Sequence, residues 1–322
     1  MKKLCLLIII ALTLLSGCTP QRSAEHSFFA LDTVISLKCS PSSAKEIETL
    51  VKEYEKLLSP TMETSELYGL NNRLTQNVSP KFAEVFSAAK NISEKTDGAY
   101  NFAIYPLILE WGFTTKNYKI PKNEEVADIL PSINFTKIQI NDNILSAEDG
   151  QKMDFGGIAK GFICDKAVEI LKNNGEENAL ISLGGNVYTL GNKGGKKWEI
   201  AIKSPFSDEF SGILKAENQA VVTSGAYERY FEKDGKKYHH IINPETGYPA
   251  ENDLASVTIV SENATLADGY STALFVMGFE KAKEFYRAEK NFDAIFILQN
   301  GKIYVTEDIA KNFSADKFNV IN

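Results

Sequence analysis

The sequence predicts an α+β fold that is compact and bilobed, with helices packed on largely antiparallel sheets. Candidate helices alternate with short strands along the whole chain, and no internal repeat is present. Several neighbouring strands are separated by only a few turn residues, which favours antiparallel pairing because a parallel pair needs a long crossover. The contents of 43% hydrophobic and 24% charged residues are typical of a globular protein.

The predicted elements follow from local patterns. The β-branched and apolar segment "FFALDTVISLKC" (28–39) indicates one strand, and apolar residues at helical spacing indicate a helix over 43–58 capped by Ser43. A second helix begins at Ser79 and Pro80. We expect a hairpin that turns at 141–143, a helix over 158–172, and a final hairpin that turns at Asn300–Gly301.

The net charge limits the classes of ligand. The 322-residue chain carries a formal net charge of −7, which argues against a nucleic-acid-binding protein because such proteins present a basic face. An acidic ligand such as a nucleotide or flavin would need local positive charge or a metal ion.

The N-terminal sequence is typical of a targeting segment. Two lysines, an apolar run and then Leu-Ser-Gly-Cys resemble the signal and lipobox of bacterial lipoproteins. The resemblance implies a signal peptide over 1–17, a lipidated Cys18 with a tether over 18–26, and one catalytic unit over 27–322. It also implies a lipid anchor on the extracytoplasmic side of a bacterial membrane. An ordinary signal peptide with an incidental cysteine is the alternative.

Two further cysteines remain in the predicted catalytic unit. Cys39 lies at the end of a predicted strand and Cys164 on a predicted helix. Two cysteines do not make a disulfide framework, so buried free thiols are expected, and one disulfide between them stays open.

The stretch "DFGGIAKGF" (154–162) has the residue types of an anion site. It lacks the order of a Walker loop, because Lys160 precedes the last glycine and no hydroxyl follows. Glycines nevertheless allow close approach of a ligand, and a helix start offers free N–H groups beside a lysine. Asp154 could accept a hydrogen bond from a base or sugar. The alternative is a simple strand-to-helix turn with a lysine in solvent.

Two other stretches carry chemistry. Asp268, Ser271 and Thr272 fall on one helix face and offer the hard oxygen ligands that Mg²⁺ prefers. In "YHHIINPETGYP" (238–249), two adjacent histidines on a strand would point to opposite sides, so that one of them can face a site. The alternatives are hydroxyls bonded back to helix carbonyls, and two strand-end histidines without a role.

The joint occurrence of several segments gives a family resemblance. In chain order they are "ALDTV", "SELYGLN", "GAYNFAIYPLILEWGF", "DFGGIAKGFICD", "ISLGGN", "SGAYERYF", "YHHIINPETGYP" and "ADGYSTALFVMG". Together they resemble the FAD:protein FMN transferase family, also called ApbE, over nearly the whole chain beyond the tether. The resemblance implies an ApbE or T-fold-like α+β fold. It also implies Mg²⁺-dependent transfer of FMN from FAD to a threonine or serine hydroxyl of a target protein, with release of AMP.

Site residues follow from the same motif matching. The metal positions of the family fall on Gly157, Asp268, Ser271 and Thr272. The FAD-contacting positions fall on Leu31, Ala99, Tyr100, Asn101, Asp154, Lys160 and Ile242, and Thr61 stands where some members place an aromatic against the flavin. His240 falls on the histidine of the family signature and is the candidate base.

The implied partners are FAD, membrane lipid through Cys18, and target flavoprotein subunits of membrane redox complexes or extracytoplasmic reductases. Two alternative functions stay open at this point. If water replaces the acceptor hydroxyl, the protein is an FAD diphosphatase that yields FMN and AMP. If no reaction occurs, it is a non-catalytic flavin-binding lipoprotein, although such a protein would need neither the oxygen set nor His240.

Overall fold

A large sheet organises the chain in the computed structural model, which describes residues 24–73 and 75–321. In chain order the strands are β1 Ala24–Ala30, β2 Thr33–Cys39, β3 Gln139–Asn141, β4 Ile144–Ser146, β5 Ala179–Leu183, β6 Asn186–Leu190, β7 Trp198–Lys203, β8 Phe210–Ala216, β9 Gln219–Gly225, β10 Tyr230–Lys233, β11 Lys236–His239, β12 Leu254–Ser261, β13 Asp293–Leu298, β14 Ile303–Thr306, β15 Phe313–Ser314 and β16 Asn319–Ile321. The helices are α1 Pro41–Leu58, α2 Glu66–Asn71, α3 Pro80–Lys95, α4 Tyr105–Glu110, α5 Asn123–Ile129, α6 Ala159–Asn173, α7 Ala264–Met277, α8 Phe279–Glu289 and α9 Glu307–Ala310, with 3₁₀ turns at Leu130–Ile133 and Phe135–Lys137.

The sheets are mainly antiparallel. Within the described ranges, nine strands form the main sheet in the order β1-β2-β5-β6-β9-β12-β13-β14-β16. Its strand pairs are antiparallel except β14 with β16. A three-stranded sheet, β15-β8-β7, and the hairpins β3-β4 and β10-β11 complete the strands of this part of the chain. The predicted α+β class with antiparallel sheets and packed helices is confirmed.

Three chain segments lie side by side at one end of the strands of the main sheet. The register pairs Ile35 with Leu183 and Leu183 with Asn186, so the β1–β2 turn and the β5–β6 turn lie at the same end of their strands. The strand β9 runs antiparallel to β6 and therefore finishes at this end, at Ser224–Gly225. The sheet thus presents two turns and one strand end side by side.

The single strand predicted over 28–39 is wrong, because the chain reverses at Leu31–Asp32. Both residues have positive φ, 54° and 57°, and the register pairs Ala30 with Thr33 across a two-residue turn. Such a turn normally takes Asn-Gly or Gly residues, so a leucine there is strained. The Leu31 N–H donates to Glu55 of α1 at 2.6 Å, which ties the turn to the helix.

Helix starts follow the capping chemistry of the sequence. The Ser79 hydroxyl accepts from the Phe82 N–H and Pro80 occupies the first turn of α3, which confirms that prediction. The helix α1 begins earlier than predicted, at Pro41, because the Ser40 hydroxyl and not that of Ser43 caps it. The hairpin predicted around 141–143 is confirmed by the pairing of β3 with β4.

The described chain begins within the predicted tether. The strand β1 starts at Ala24, so residues 24–26 of the predicted tether belong to the sheet instead. The predicted signal peptide over 1–17 and the lipidated Cys18 lie outside the described residues. No helix in the described ranges combines the length and apolar character needed to cross a bilayer.

Cys39 and Cys164 are free and buried, as expected. Burial raises the pKa of the Cys39 thiol to about 11 and that of the Cys164 thiol well above its ordinary value. Both thiols are therefore protonated at neutral pH, and their role is packing.

The helices α6 and α7 cross at very close range. A Cβ on Gly161 would overlap the carbonyl oxygen of Ala264 and would lie 2.7 Å from the Cβ of Asp268. Asp165 of α6 caps α7, accepting from the Ala264 and Thr265 N–H groups at 2.8 Å each and from the Thr265 hydroxyl at 2.5 Å. Because Gly161 has no side chain, the two helices can approach closely. The hydrogen bonds of the Asp165 carboxylate then fix the start of α7 to α6.

Substituting Gly161 tests this crossing. We expect Gly161→Ala to lower the free energy of unfolding by about 2 kcal/mol or more, because the added methyl must push α6 and α7 apart. The matched control is Gly69→Ala in α2, where the new Cβ would be 3.4 Å from Thr75 Cγ2, an ordinary contact. Urea denaturation of both variants measures the difference, and equal stability of the two would contradict the close crossing.

Candidate active site

The oxygen atoms predicted for a metal site come together where α6 begins and α7 passes. A Cβ on Gly157 would lie 3.3 Å from the Thr272 hydroxyl, so the 154–161 turn and the α7 face adjoin directly. The Gly161 N–H donates to Asp268 Oδ2 at 2.9 Å. Asp268 is only 4% exposed, and this bond leaves its other oxygen for a further partner.

Ser224 joins this group from the end of β9. Its hydroxyl lies 2.8 Å from the Ser271 hydroxyl and 3.5 Å from that of Thr272. The Ser271 hydroxyl, which is fully buried, also donates to the Asp268 carbonyl at 2.8 Å. The Ser271 hydroxyl therefore already has two hydrogen-bond partners. The Thr272 side chain, which lies next to Gly157, is partly exposed.

The composition of this set suits a hard cation that keeps ligand oxygens or waters. Within residues 24–73 and 75–321, no three His, Cys, Asp or Glu side chains are arranged to hold a metal ion. The set instead offers one buried carboxylate and the hydroxyls of Ser271 and Thr272, and it adjoins Gly157, whose backbone carbonyl is the fourth predicted ligand. Mg²⁺ accepts such a site because it uses one or two carboxylates and fills its shell with water and phosphate oxygens. The residues present thus fit this cation.

The turn before α6 carries one carboxylate and one ammonium group. Asp154 Oδ1 accepts from the Gly156 N–H at 2.7 Å, and Lys160 Nζ lies 3.4 Å from the Gly156 carbonyl oxygen. Burial raises the pKa of Asp154, against the opposing effects of the Gly156 N–H, Arg229 and Lys160. Both side chains are partly buried, so both can contact a ligand over the turn.

The backbone that precedes Asp154 is clamped by Asn71, the last residue of α2. Its carboxamide donates to the Met153 carbonyl at 2.8 Å and accepts from the Met153 N–H at 2.7 Å. The Asp154 N–H then donates to the Phe102 carbonyl at 2.8 Å. These bonds fix the turn to the segment that carries Tyr100.

The segment 99–101 follows α3 and two residues with positive φ, Asp97 and Gly98. The Thr96 hydroxyl accepts from the Tyr100 N–H at 3.2 Å, and the Tyr100 ring lies against Gly157, where a Cβ would be 3.0 Å from Tyr100 Cε2. Ala99 is partly exposed beside it. The Asn101 side chain is occupied structurally, since it donates to the Ile133 carbonyl and accepts from the Ala103 N–H. Tyr100 is thus in direct contact with the oxygen set.

The remaining predicted FAD contacts lie on three other segments of the chain. Leu31 is at the β1–β2 turn, on the sheet edge where β9 ends. Thr61 is exposed after α1, and its hydroxyl lies 3.2 Å from that of Ser59. Ile242 is 5% exposed in an apolar cluster with Trp111 and Phe231, so its side chain is committed to packing.

His240 follows β11 with a defined ring orientation. Its N–H and its Nδ1 both lie 3.1 Å from the Arg229 carbonyl oxygen. A carbonyl only accepts, so Nδ1 carries the proton and Nε2 keeps a free lone pair. The neighbouring His239 turns the other way, with Nε2 3.1 Å from the Ala250 carbonyl and its ring against Phe275. The opposite orientation expected for the pair is observed.

Arg229 connects His240 to the α6 turn. Burial first, and then the guanidinium of Arg229, lower the pKa of His240 to about 3, and Lys160 acts in the same direction. Arg229 also opposes the burial effect on the pKa of Asp154, and its side chain donates to the Phe113 carbonyl at 3.2 Å. Arg229 and Lys160 are therefore close enough to influence both the imidazole of His240 and the carboxylate of Asp154.

Three residues of this arrangement were not identified from the sequence: Ser224, Arg229 and Asn71. Ser224 and Arg229 lie inside the motif segment "SGAYERYF" and Asn71 ends "SELYGLN", so the motifs pointed to all three residues without giving roles. The role of Ser224 could not be predicted, because only the strand order brings β9 beside α7.

The low pKa of His240 gives a direct expectation for its titration. Between pH 5 and 8 the free protein should show no movement of the His240 ring signals in NMR, because the imidazole stays neutral until about pH 3. Arg229→Gln should move the pKa upward, toward the ordinary value, by removing a nearby positive charge. The signal is assigned by its loss in His240→Gln. A midpoint near 6.5 in the unsubstituted protein would contradict the geometry.

Comparisons with known proteins give the family. The family model described as the ApbE family matches residues 31–296. The FAD:protein FMN transferases of Klebsiella pneumoniae (strain 342) and Treponema pallidum (strain Nichols) are 37% identical over 282 residues and 31% over 290, covering 84% and 83% of this chain and 87% and 80% of their own length. The ApbE protein from Thermotoga maritima has a TM-score of 0.84 at 32% identity, covering 90% of this chain and 99% of that one. The flavin transferase ApbE from Vibrio cholerae has a TM-score of 0.79 at 27% identity, covering 91% of this chain and 100% of that one. The chain therefore belongs to the ApbE family.

Proposed function

We propose that this protein is an FAD:protein FMN transferase. It cleaves the diphosphate of FAD, joins FMN through a phosphoester to a threonine or serine hydroxyl of a target flavoprotein, and releases AMP. Its relatives of this name support the proposal. The observation that carries it is that the α6 turn adjoins the α7 oxygen set at Gly157 and Thr272 and shares two nearby cations, Lys160 and Arg229, with His240.

Magnesium is the cation that we assign to the oxygen set. Gly157, through its carbonyl, and the side chains of Asp268 and Thr272 would hold it, with Ser271 behind them. When bound, the ion supplies charge neutralisation for the diphosphate. Ser224 supports the set because its hydroxyl contacts those of Ser271 and Thr272.

The chain's own cations bind the anionic part of the substrate. Lys160 sits in the first turn of α6, and Arg229 lies near enough to Asp154 to affect its pKa. Phosphoryl-type transfer depends mainly on positioning and on neutralising charge, and these two side chains provide both in a chain whose net charge is −7.

His240 acts as the base in this proposal. Its Nε2 lone pair is free, and a base within hydrogen-bond reach of the acceptor hydroxyl removes the proton as the oxygen attacks. With a pKa near 3, the His240 imidazole is only a weak base in the ligand-free protein. The bound diphosphate opposes the effect of Arg229 and Lys160, so we expect the pKa of His240 to rise when FAD binds.

Place and partners complete the proposal. The lipobox-like sequence ending at Cys18 leads us to place the mature protein on the extracytoplasmic face of a bacterial membrane, anchored by lipid. Its acceptors there would be flavoprotein subunits of membrane redox complexes or extracytoplasmic reductases.

Incubation of the mature protein with FAD, Mg²⁺ and a threonine-containing acceptor domain tests the reaction. We expect mass spectrometry to show one FMN group on the acceptor and one AMP released for each. His240→Ala should slow the transfer by about 10²- to 10⁴-fold while FAD binding, read by flavin fluorescence, persists. The control His26→Gln, on β1, should transfer normally.

Other outcomes separate the competing functions. Free FMN without labelled acceptor indicates a diphosphatase, and intact FAD after long incubation indicates a flavin-binding protein. Normal transfer by His240→Ala would remove that residue from the mechanism.

The metal assignment is tested separately with Asp268→Asn. The amide keeps an acceptor for the Gly161 N–H but removes the charge, so folding should persist while Mg²⁺-dependent transfer is lost. A Mg²⁺ titration of the rate measures this, and an unchanged half-saturating Mg²⁺ concentration would contradict the assignment.

A further inference from the structure

A buried hydroxyl beside the oxygen set has no partner. Tyr100 is 3% exposed, and its Oη makes no hydrogen bond within the described part of the chain. An unpaired buried hydroxyl is destabilising, so such groups normally have a partner that forms with a ligand or an ordered water.

The surroundings of this hydroxyl indicate what kind of partner it awaits. Asp154 and Asp268 are both near enough to raise the pKa of Tyr100, beyond the larger effect of burial, yet neither is within hydrogen-bonding distance. The Tyr100 ring lies against Gly157, and the Thr272 hydroxyl lies on the same glycine. A phenol hydroxyl can donate one hydrogen bond and can also accept one, so a ligand oxygen or a bound water can complete it.

We propose that the Tyr100 hydroxyl makes a hydrogen bond in the shell of the bound cation, either donating to a phosphate oxygen of the dinucleotide or accepting from a cation-bound water. Tyr100 would then be a positioning residue, and its hydroxyl would add to the contact that its ring makes. This inference rests on the proposed function. It adds a specific role for one atom that the oxygen set does not include.

The position of the hydroxyl explains why it stays unpaired without a ligand. The turn before α6 is fixed by the Asn71 clamp on Met153, and Tyr100 is fixed by its N–H bond to Thr96. In this arrangement neither carboxylate is within hydrogen-bonding distance of the phenol. The hydroxyl is therefore held in advance, which lowers the ordering needed on binding.

Tyr100→Phe removes only this oxygen and gives two readouts of opposite sign. The affinity for FAD in the presence of Mg²⁺, measured by flavin fluorescence, should fall about 10-fold, as expected for a hydrogen bond to a charged partner. The melting temperature of the ligand-free variant should equal or exceed that of the unsubstituted protein, because an unpaired buried hydroxyl has been removed.

The matched control is Tyr188→Phe on β6. Tyr188 is also buried, but its hydroxyl has a partner, the Asn218 carbonyl at 3.4 Å. This variant should lose some thermal stability and keep its FAD affinity, the reverse of the Tyr100 result.

Repeating the titrations with Mg²⁺ or with EDTA identifies the acceptor. A loss of affinity in both conditions assigns the bond to a phosphate oxygen, and a loss only with Mg²⁺ assigns it to a cation-bound water. Unchanged affinity in both, or a lower melting temperature with unchanged affinity, overturns the inference and indicates a structural water instead. If the unsubstituted protein fails to bind FAD, the proposed function fails rather than this inference alone.

Discussion

The close crossing of α6 and α7 is the constraint on which the site depends. Gly161 leaves no room for a side chain between the helices, and its N–H is bonded to Asp268 while Asp165 caps α7. These contacts set the distance between two segments that are about a hundred residues apart in the chain, 154–161 and 268–272. A wider crossing would leave Gly157 and Thr272 too far apart to share one ion.

Electrostatics in this space differ from those of the chain as a whole. The net charge is negative, yet burial, reinforced by the nearby charges of Arg229 and Lys160, keeps His240 neutral. A buried carboxylate without a cation is unfavourable, and so is an imidazolium beside an arginine. The arrangement therefore suits a state in which an anion and a divalent cation are present together, and it leaves the histidine free to accept a proton.

The sequence predicted the features that depend on short-range chemistry. The Ser79 cap, the helix after Gly157 and the β3–β4 hairpin were read from neighbouring residues, and the family motifs pointed to the α6 turn and to α7. The Leu31–Asp32 turn could not be predicted because leucine rarely adopts positive φ, and the bond from the Leu31 N–H to Glu55 forms only in the folded protein. The roles of Ser224 and Arg229 depend on strand order, which local patterns do not reveal.

We propose that one divalent ion is held by oxygens from both helix segments. A crystal structure of the protein with Mn²⁺ and FAD, with anomalous data collected at the manganese edge, can locate this ion. We expect one strong peak within coordinating distance of the Gly157 carbonyl, Asp268 and the Thr272 hydroxyl, and against the FAD diphosphate. A diphosphate bound at the α6 turn with the manganese elsewhere, or with no manganese, would contradict it.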